Sequence, residues 1–533
     1  MAMTIPTECW QEISKYIPIE DKKTLRSCLM VNKFMCRIFT PILWSNPFRY
    51  LQDTPNNQPI QRKIYEQDEM IEKRINQKKL INVYITCMDN ESINILNDHG
   101  IQIIKKKDDK PIMMTFDYPS LLRELQYDII CESSSSWLYQ ELYSYKDLTI
   151  IKDFEYNNSK QKEFKKLLLT REICKMFIRK SPLITNLTLS YYVPFADTSF
   201  TPKDFLLINK LPGAEVSLKN LKKFKCSLFI NQWKEVTKDL TKICGMNGSL
   251  ETLELKCIGE PSVEWVDDKS FINICELIKQ QKSLQNIKLN CCGRYCNIAK
   301  AISSLITQID HIKVLEFVHL NFNSHLYGIT NNFAKTIFKH DNNNNPPLNF
   351  ISKCKKLNTL IFKDCDELLD YNIFAPKNSP WFNHLTKLVF EDTSISPFNV
   401  SKIISFCNKL QELSCDLGEE YNYLPEFALY LPLTLKHLTI DAIEIDIDIL
   451  QQFLENIKAS LESLNFPAWI CRSFTDQHVY IICDKLKNTL KRLDLDLNSL
   501  ENQQHNVSFE SIDYARKEID IVNIHSYFRI DSW

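Results

Sequence analysis

The chain has 533 residues, 44% hydrophobic and 25% charged, which is ample apolar material for folded cores. Its formal net charge of -1 excludes general electrostatic attraction to nucleic acid. No apolar run approaches the roughly 20 residues of a spanning helix, and no basic-then-apolar leader opens the chain. An intracellular protein, cytoplasmic or nuclear, with no membrane and no nucleic-acid partner is therefore expected. The 19 cysteines are scattered, and several fall at apolar repeat positions such as Cys226 and Cys415. They read as small buried hydrophobes in a reducing compartment.

Residues 1–50 read as a bundle of three short helices. Ile5-Pro6-Thr7-Glu8 opens the first, because proline suits a first turn and a carboxylate suits the positive helix end. Cys9, Ile13, Tyr16 and Ile17 recur at three- and four-residue steps and predict its apolar face, and Pro18 stops it. A second helix carries Leu25, Cys28 and Leu29. A third carries Phe34, Met35, Ile38 and Phe39 and is expected to end near Pro41. So thin a core is marginal alone and needs a partner or the next domain.

Residues 51–120 are expected to hold a polar linker and an irregular first repeat region. A solvated helix is predicted around Glu66–Lys78, with Ile64, Met70, Ile71 and Ile75 inward. Leu80-Ile-Asn-Val83-Tyr-Ile85 then matches a phrase that recurs through residues 121–533.

That phrase is apolar-x-x-apolar-x-apolar. Its copies are Leu122/Leu125/Tyr127, Ile184/Leu187/Leu189, Leu221/Phe224/Cys226, Leu250/Leu253/Leu255, Leu284/Ile287/Leu289, Ile312/Leu315/Phe317 and Leu357/Leu360/Phe362. Five regular copies follow, starting at Leu385, Leu410, Leu435, Leu461 and Leu490, at spacings of 25, 25, 26 and 29 residues. The last two apolar positions of each lie on one side of a short strand. A phrase of this kind at a period in the twenties is the signature of leucine-rich repeats. One unit cannot bury its own apolar groups, so the units must stack. The expected fold is an α/β solenoid, a leucine-rich-repeat horseshoe with parallel strands on its concave face. Phe271–Ile278 and Val400–Phe406 read as return helices, and Ile512–Trp533 as a final strand and cap. Cys131–Ser136 and Asp341–Pro347 read as loops.

Residues 5–44 also resemble an F-box, through Ile5-Pro6-x-Glu8, Ile13-x-x-Tyr16-Ile17, Leu25-x-x-Cys28-x-x-Val31-Asn32-Lys33 and Pro41-Ile42-Leu43-Trp44. With the repeats, the chain looks most like fungal F-box proteins that carry leucine-rich repeats. It departs from that pattern at Lys22, where such boxes often have leucine, and at Met35, where many have tryptophan. The resemblance implies a substrate receptor of an SCF-type ubiquitin ligase, with the box on a Skp-type adaptor of the cullin complex and the repeats on an unknown protein substrate. Carried over by position, Ile5, Pro6, Ile13, Leu25, Cys28, Val31 and Trp44 would form or support the adaptor-facing surface. Pro6 and Trp44, at the ends of the bundle, are the stronger contact candidates, while Ile13 and Cys28 equally fit the bundle core. The alternative is a leucine-rich-repeat protein-binding scaffold that does not engage a ligase.

No catalytic residue, cofactor or metal is expected, and the chain is not read as an enzyme. None of the eight glycines falls in a phosphate-cradling pattern. H-E-x-x-H and G-x-S-x-G are absent. The one dense thiol cluster, Cys291-Cys292-Gly-Arg-Tyr-Cys296, lacks a second pair at zinc-ligand spacing. The position after the third apolar residue is Glu391, Asp416, Asp441, Pro467 and Asp496 in the last five copies. Glu391, Asp416, Asp441 and Asp496 would make an acidic stripe for a basic segment of a target. The plainer reading is a solvated face balanced by Lys387 and Arg492.

Overall fold

The computed structural model describes residues 6–14, 16–18, 21–51, 62–103, 115–139, 155–190, 208–229, 238, 241–242, 248–258, 268–291, 304–320, 347–365, 379–393, 395–418, 420–442, 445–467, 474–495 and 507–524. It forms two compact units, Met1–Leu228 with Gln232–Leu250, and Phe229–Asn231 with Glu251–Trp533.

The first unit opens with α1 (Thr7–Ser14), α2 (Lys22–Val31) and α3 (Lys33–Ser45). Asp21 Oδ1 accepts the Thr24 N–H at 3.0 Å to start α2, and Asn32 Oδ1 accepts the Met35 N–H at 2.8 Å to start α3. Leu25, Met35, Ile38 and Phe39 form the core, with Trp10, Ile17, Cys28, Leu29, Ile42 and Leu43 packed around it. Two expectations change here. The packed stripe of the first helix runs through Trp10, Ser14 and Ile17, so that of the predicted Cys9/Ile13/Tyr16/Ile17 face only Ile17 turns to the core, because the indole offers the larger apolar area. Cys9, Ile13 and Tyr16 are exposed. And α3 continues through Pro41 to Ser45: packing of Ile42 and Leu43 on the core outweighs the one hydrogen bond that proline removes.

Next come α4 (Arg62–Thr86) and α5 (Asn90–Asp98). The phrase-like Leu80–Ile85 is helical, since Ile81, Tyr84, Ile85 and Met88 are buried together at helical rather than strand spacing. The predicted inward face of α4 shifts as well: Ile75 is exposed and Gln77 is buried, while the side chains of Ile64 and Met70 lie outside the described residues. β1 (Glu124–Gln126) leads into α6 (Tyr127–Tyr139), which takes up the whole Cys131–Ser136 run that was expected as a loop. Serine is a modest helix former, but here Ser133 and Ser134 are buried and Ser136 Oγ donates to Gln77 Oε1 of α4 at 2.7 Å. Tertiary packing overrides propensity. α7 (Glu155–Lys180) buries Leu167, Leu169, Ile173 and Phe177, and is followed by β2 (Asn186–Ser190), α8 (Ala214–Ser217) and β3 (Lys223–Phe229).

The second unit alternates strands with return segments: β4 (Thr252–Ile258), α9 (Asp268–Gln280), β5 (Asn286–Cys291), β6 (Val314–Val318), β7 (Thr359–Cys365), β8 (Lys387–Thr393), α10 (Pro397–Ile404), β9 (Glu412–Asp416), α11 (Leu424–Ala428), β10 (His437–Asp441), α12 (Ile447–Asn456), β11 (Ser463–Phe466), α13 (Asp476–Leu486), β12 (Arg492–Leu495), α14 (Phe509–Glu518) and β13 (Ile521–Ile524). Within each unit, strands adjacent in the chain are adjacent and parallel in the sheet. The register matches phrase to phrase, as in Leu360↔Leu388, Leu413↔Leu438 and Leu464↔Leu493. Each of the 12 phrases places its apolar residues in the interior. Phe317, Phe362 and Phe390 stack in succession, with centroids 5.3 and 5.6 Å apart.

The two intervening x positions have a backbone role. The N–H groups of Gln411 and Glu412 both donate to Thr386 O at 2.8 and 3.0 Å, and those of Lys436 and His437 both donate to Gln411 O at 2.9 Å. One carbonyl per repeat thus holds two donors of the next, which fixes the first leucine of the phrase below its neighbour. The final strand and cap expected at the C-terminal end are β13 and α14. Asp341–Pro346, Cys292 and Cys296 lie outside the described residues.

Candidate functional site

Two surfaces collect the predicted binding residues. On the bundle, Pro6 is exposed, and its carbonyl accepts the Cys9 and Trp10 N–H groups at 3.1 and 3.3 Å to begin α1. Ile13 is 43% exposed and Val31 63% exposed. Leu25 is interior and Cys28 half-buried, packed in or against the bundle core. Ile5 and the side chain of Lys22 lie outside the described residues, and Met35 is a core residue.

Trp44 faces the rest of the first unit. Its ring lies 4.1 Å from Tyr118 and edge-on to Tyr84 at 5.8 Å, and Tyr84 in turn meets Phe48 and Phe177. This aromatic group joins α3 to α4 and α7. Along α3, Trp44 is ten residues from Phe34, or about 15 Å of helix rise. The α2–α3 corner instead presents Met30, 80% exposed, with Val31 and Phe34 on either side of the Asn32 cap. Met30 was not singled out in the sequence, and Tyr16 and Phe34 were assigned to the apolar side of their helices, whereas the structure leaves all three exposed. The signal was available: apolar residues flanking a cap leave the buried stripe of both helices.

On the strand face of the second unit, Glu391, Asp416 and Asp441 occupy equivalent positions of β8, β9 and β10, and Asp416 and Asp441 are register partners. Strand spacing puts such neighbours about 5 Å apart. Pro467 interrupts the row at β11, and Asp496 lies outside the described residues. Two further carboxylates join the group, Asp364 and Asp392, each two residues past the third apolar residue of its phrase, Phe362 and Phe390. Both take left-handed backbone, φ 49° and 48°, as does His319, two residues past Phe317 and just beyond β6. Asp and His tolerate that region better than most residues. The left-handed turn is invisible to a period-two reading, which is why these two were missed.

The electrostatics follow from crowding. Burial, then the charges of Asp416, Asp392 and Glu391, push the Asp441 carboxyl up to about 6. Asp392 is raised by burial and by Asp364, Asp416 and Glu391, and Asp416 by burial, against a hydrogen bond from Gly418 N at 2.7 Å. Lys363 Nζ is 2.5 Å from Glu391 Oε2, and Ser414 Oγ donates to Glu391 Oε1 at 3.1 Å. Lys387 pairs with Glu412 at 2.5 Å, and Arg492 with Asp494 of its own strand at 2.6 Å. Those two cations are spent on other carboxylates. Among the described residues no group of three His, Cys, Asp or Glu side chains is arranged to hold a metal ion, and no helix is long and apolar enough to cross a membrane.

Parallel strands in chain order, β1 to β12 each carrying or adjoining the buried phrase, define a leucine-rich-repeat solenoid. No protein-family model and no curated protein matches the chain. Among solved structures it is similar to the leucine-rich repeat-containing protein LegL7 from Legionella pneumophila, at 12% identity over 65% of this chain and 93% of that one, with a TM-score of 0.34. It is similar also to the Rad7 and Elc1 complex in yeast, at 13% identity over 96% of each chain, with a TM-score of 0.38.

Proposed function

We propose that this chain is a protein-binding receptor of an SCF-type ubiquitin ligase, whose N-terminal bundle docks on a Skp-type adaptor and whose repeats hold a protein target. The observation that carries the reading is the bundle itself: three short helices lie where the sequence of residues 5–44 resembles an F-box, and the α2–α3 corner leaves Met30, Val31 and Phe34 exposed beside a filled core. An apolar corner of that kind gains by burial against a partner. On the repeats, the carboxylates of β7 to β10 favour a basic segment of the target. The chain would catalyse nothing, and would act by holding the target beside the charged ubiquitin carrier, which raises its effective concentration.

The test is recovery of a purified Skp-type adaptor on the full chain, compared with Met30→Asp and Val31→Asp. Both residues are exposed, so the fold should survive, and adaptor affinity should fall about tenfold or more, equivalent to roughly 1.4 kcal/mol. Adaptor recovery that is absent, or indifferent to both changes, makes the chain a repeat scaffold outside the ligase. Asp416→Lys with Asp441→Lys should leave adaptor recovery intact and weaken target capture.

A further inference from the structure

His478 is a titratable ring 3% exposed in the interior of the second unit. It occupies the third position of α13 and reaches back over the start of its own helix. The Thr475 N–H donates to Nδ1 at 3.0 Å, with Thr475 Oγ1 also 3.0 Å away. A backbone N–H can only donate, so Nδ1 must accept. The ring proton therefore sits on Nε2, which donates to Ile445 O at 2.9 Å. Ile445 precedes α12 in the previous repeat, so one neutral imidazole fastens two successive return helices. Phe474 stacks on it at 4.7 Å.

We propose that His478 is an acid-sensitive latch between α12 and α13, and that protonating it unfastens the C-terminal repeats. A proton on Nδ1 would set N–H against the Thr475 N–H at a helix N-terminus, where positive charge is already disfavoured. The surrounding charges do not compensate. Burial holds the ring below the ordinary histidine range, outweighing the Ile445 carbonyl and, after it, Asp446 at the N-cap of α12, both of which favour the imidazolium. Asp476 on the same helix turns to Ser508 N at 2.6 Å, Asp484 accepts from Tyr514 Oη of α14 at 2.8 Å, and Glu455 of α12 is paired with Lys485 at 2.9 Å. The unfolded ring, with a pKa of about 6.5, binds a proton before the folded one does. Stability is thus present above about pH 6.5 and lost as pH falls below it.

The experiment is amide hydrogen exchange on the full chain at pH 7.5 and 5.5, corrected for intrinsic rates, for wild type and His478→Gln. Glutamine at this position can still accept the cap N–H without titrating. Between those pH values, local opening over residues 474–486 should rise by up to about tenfold in wild type and stay constant in the variant. Equal wild-type protection at both pH values, or an equal loss in the variant, overturns the latch. Exchange of the imidazole C2 proton, read on the wild-type chain by mass spectrometry, decides the matter if the variant does not fold: a His478 pKa at or above about 6.5 also overturns it.

Discussion

Tyr84 lies between Phe48 and Phe177, with ring centroids 5.7 and 4.7 Å away, and its hydroxyl is buried without a hydrogen-bond partner among the described residues. Burial also pushes its phenol well above the usual tyrosine range. The ring supplies the stability and the oxygen detracts from it. Tyr84→Phe should therefore leave the urea-unfolding free energy unchanged or raise it by about 1 kcal/mol, whereas Tyr84→Ala should lower it by about 3–5 kcal/mol. Phe362, stacked on both Phe317 and Phe390, has no such oxygen, and Phe362→Ala is expected to fall at the upper end of that same range. Asp441 gives a pH-dependent case. Its folded pKa of about 6 stands above the unfolded value of about 3.9, so the ionised group opposes folding. Asp441→Asn should be more stable than wild type at pH 7, and denaturation curves of the two should converge as pH drops below about 4.

A cap and a phrase differ in how openly the amino acids declare them. Asn32 holds the Met35 N–H at 2.8 Å between two helices with little core beneath them. Asn32→Ala should cost about 1 kcal/mol, visible as faster amide exchange over residues 33–38. The repeat phrases were legible because each pairs two apolar residues on one strand side with a third in the preceding turn, and no other arrangement buries all three. Leu80–Ile85 has the same spelling, yet Ile81, Tyr84 and Ile85 go inward, since within a long helix the 3.6-residue period competes for the same letters. The serines of α6 concealed a helix because small buried residues permit close helix approach, a property of the neighbours. At the strand face, the row of Glu391, Asp416 and Asp441 follows from the phrase, whereas Asp364 and Asp392 enter it only through a backbone turn that no side-chain period encodes.

Across the second unit, stability is shared between nearest neighbours, because each strand pairs only with the one before and the one after. Removing residues 507–533 takes away α14 and β13 and lays open β12. Hydrogen exchange should then rise most at β12, less at β11, and return to wild-type values by about β10; a uniform rise throughout the unit would mean that it melts as one block. The left-handed residues His319, Asp364 and Asp392 bear on a different question. Everything up to that turn is constant in length, while the distance to the following phrase is 45, 28 and 25 residues after β6, β7 and β8. The turn is where the invariant lattice hands over to freely sized connecting chain. A foreign peptide spliced in shortly beyond it should ride on the protein as cargo, making the exits of these three strands natural ports for tags, epitopes or sensor modules.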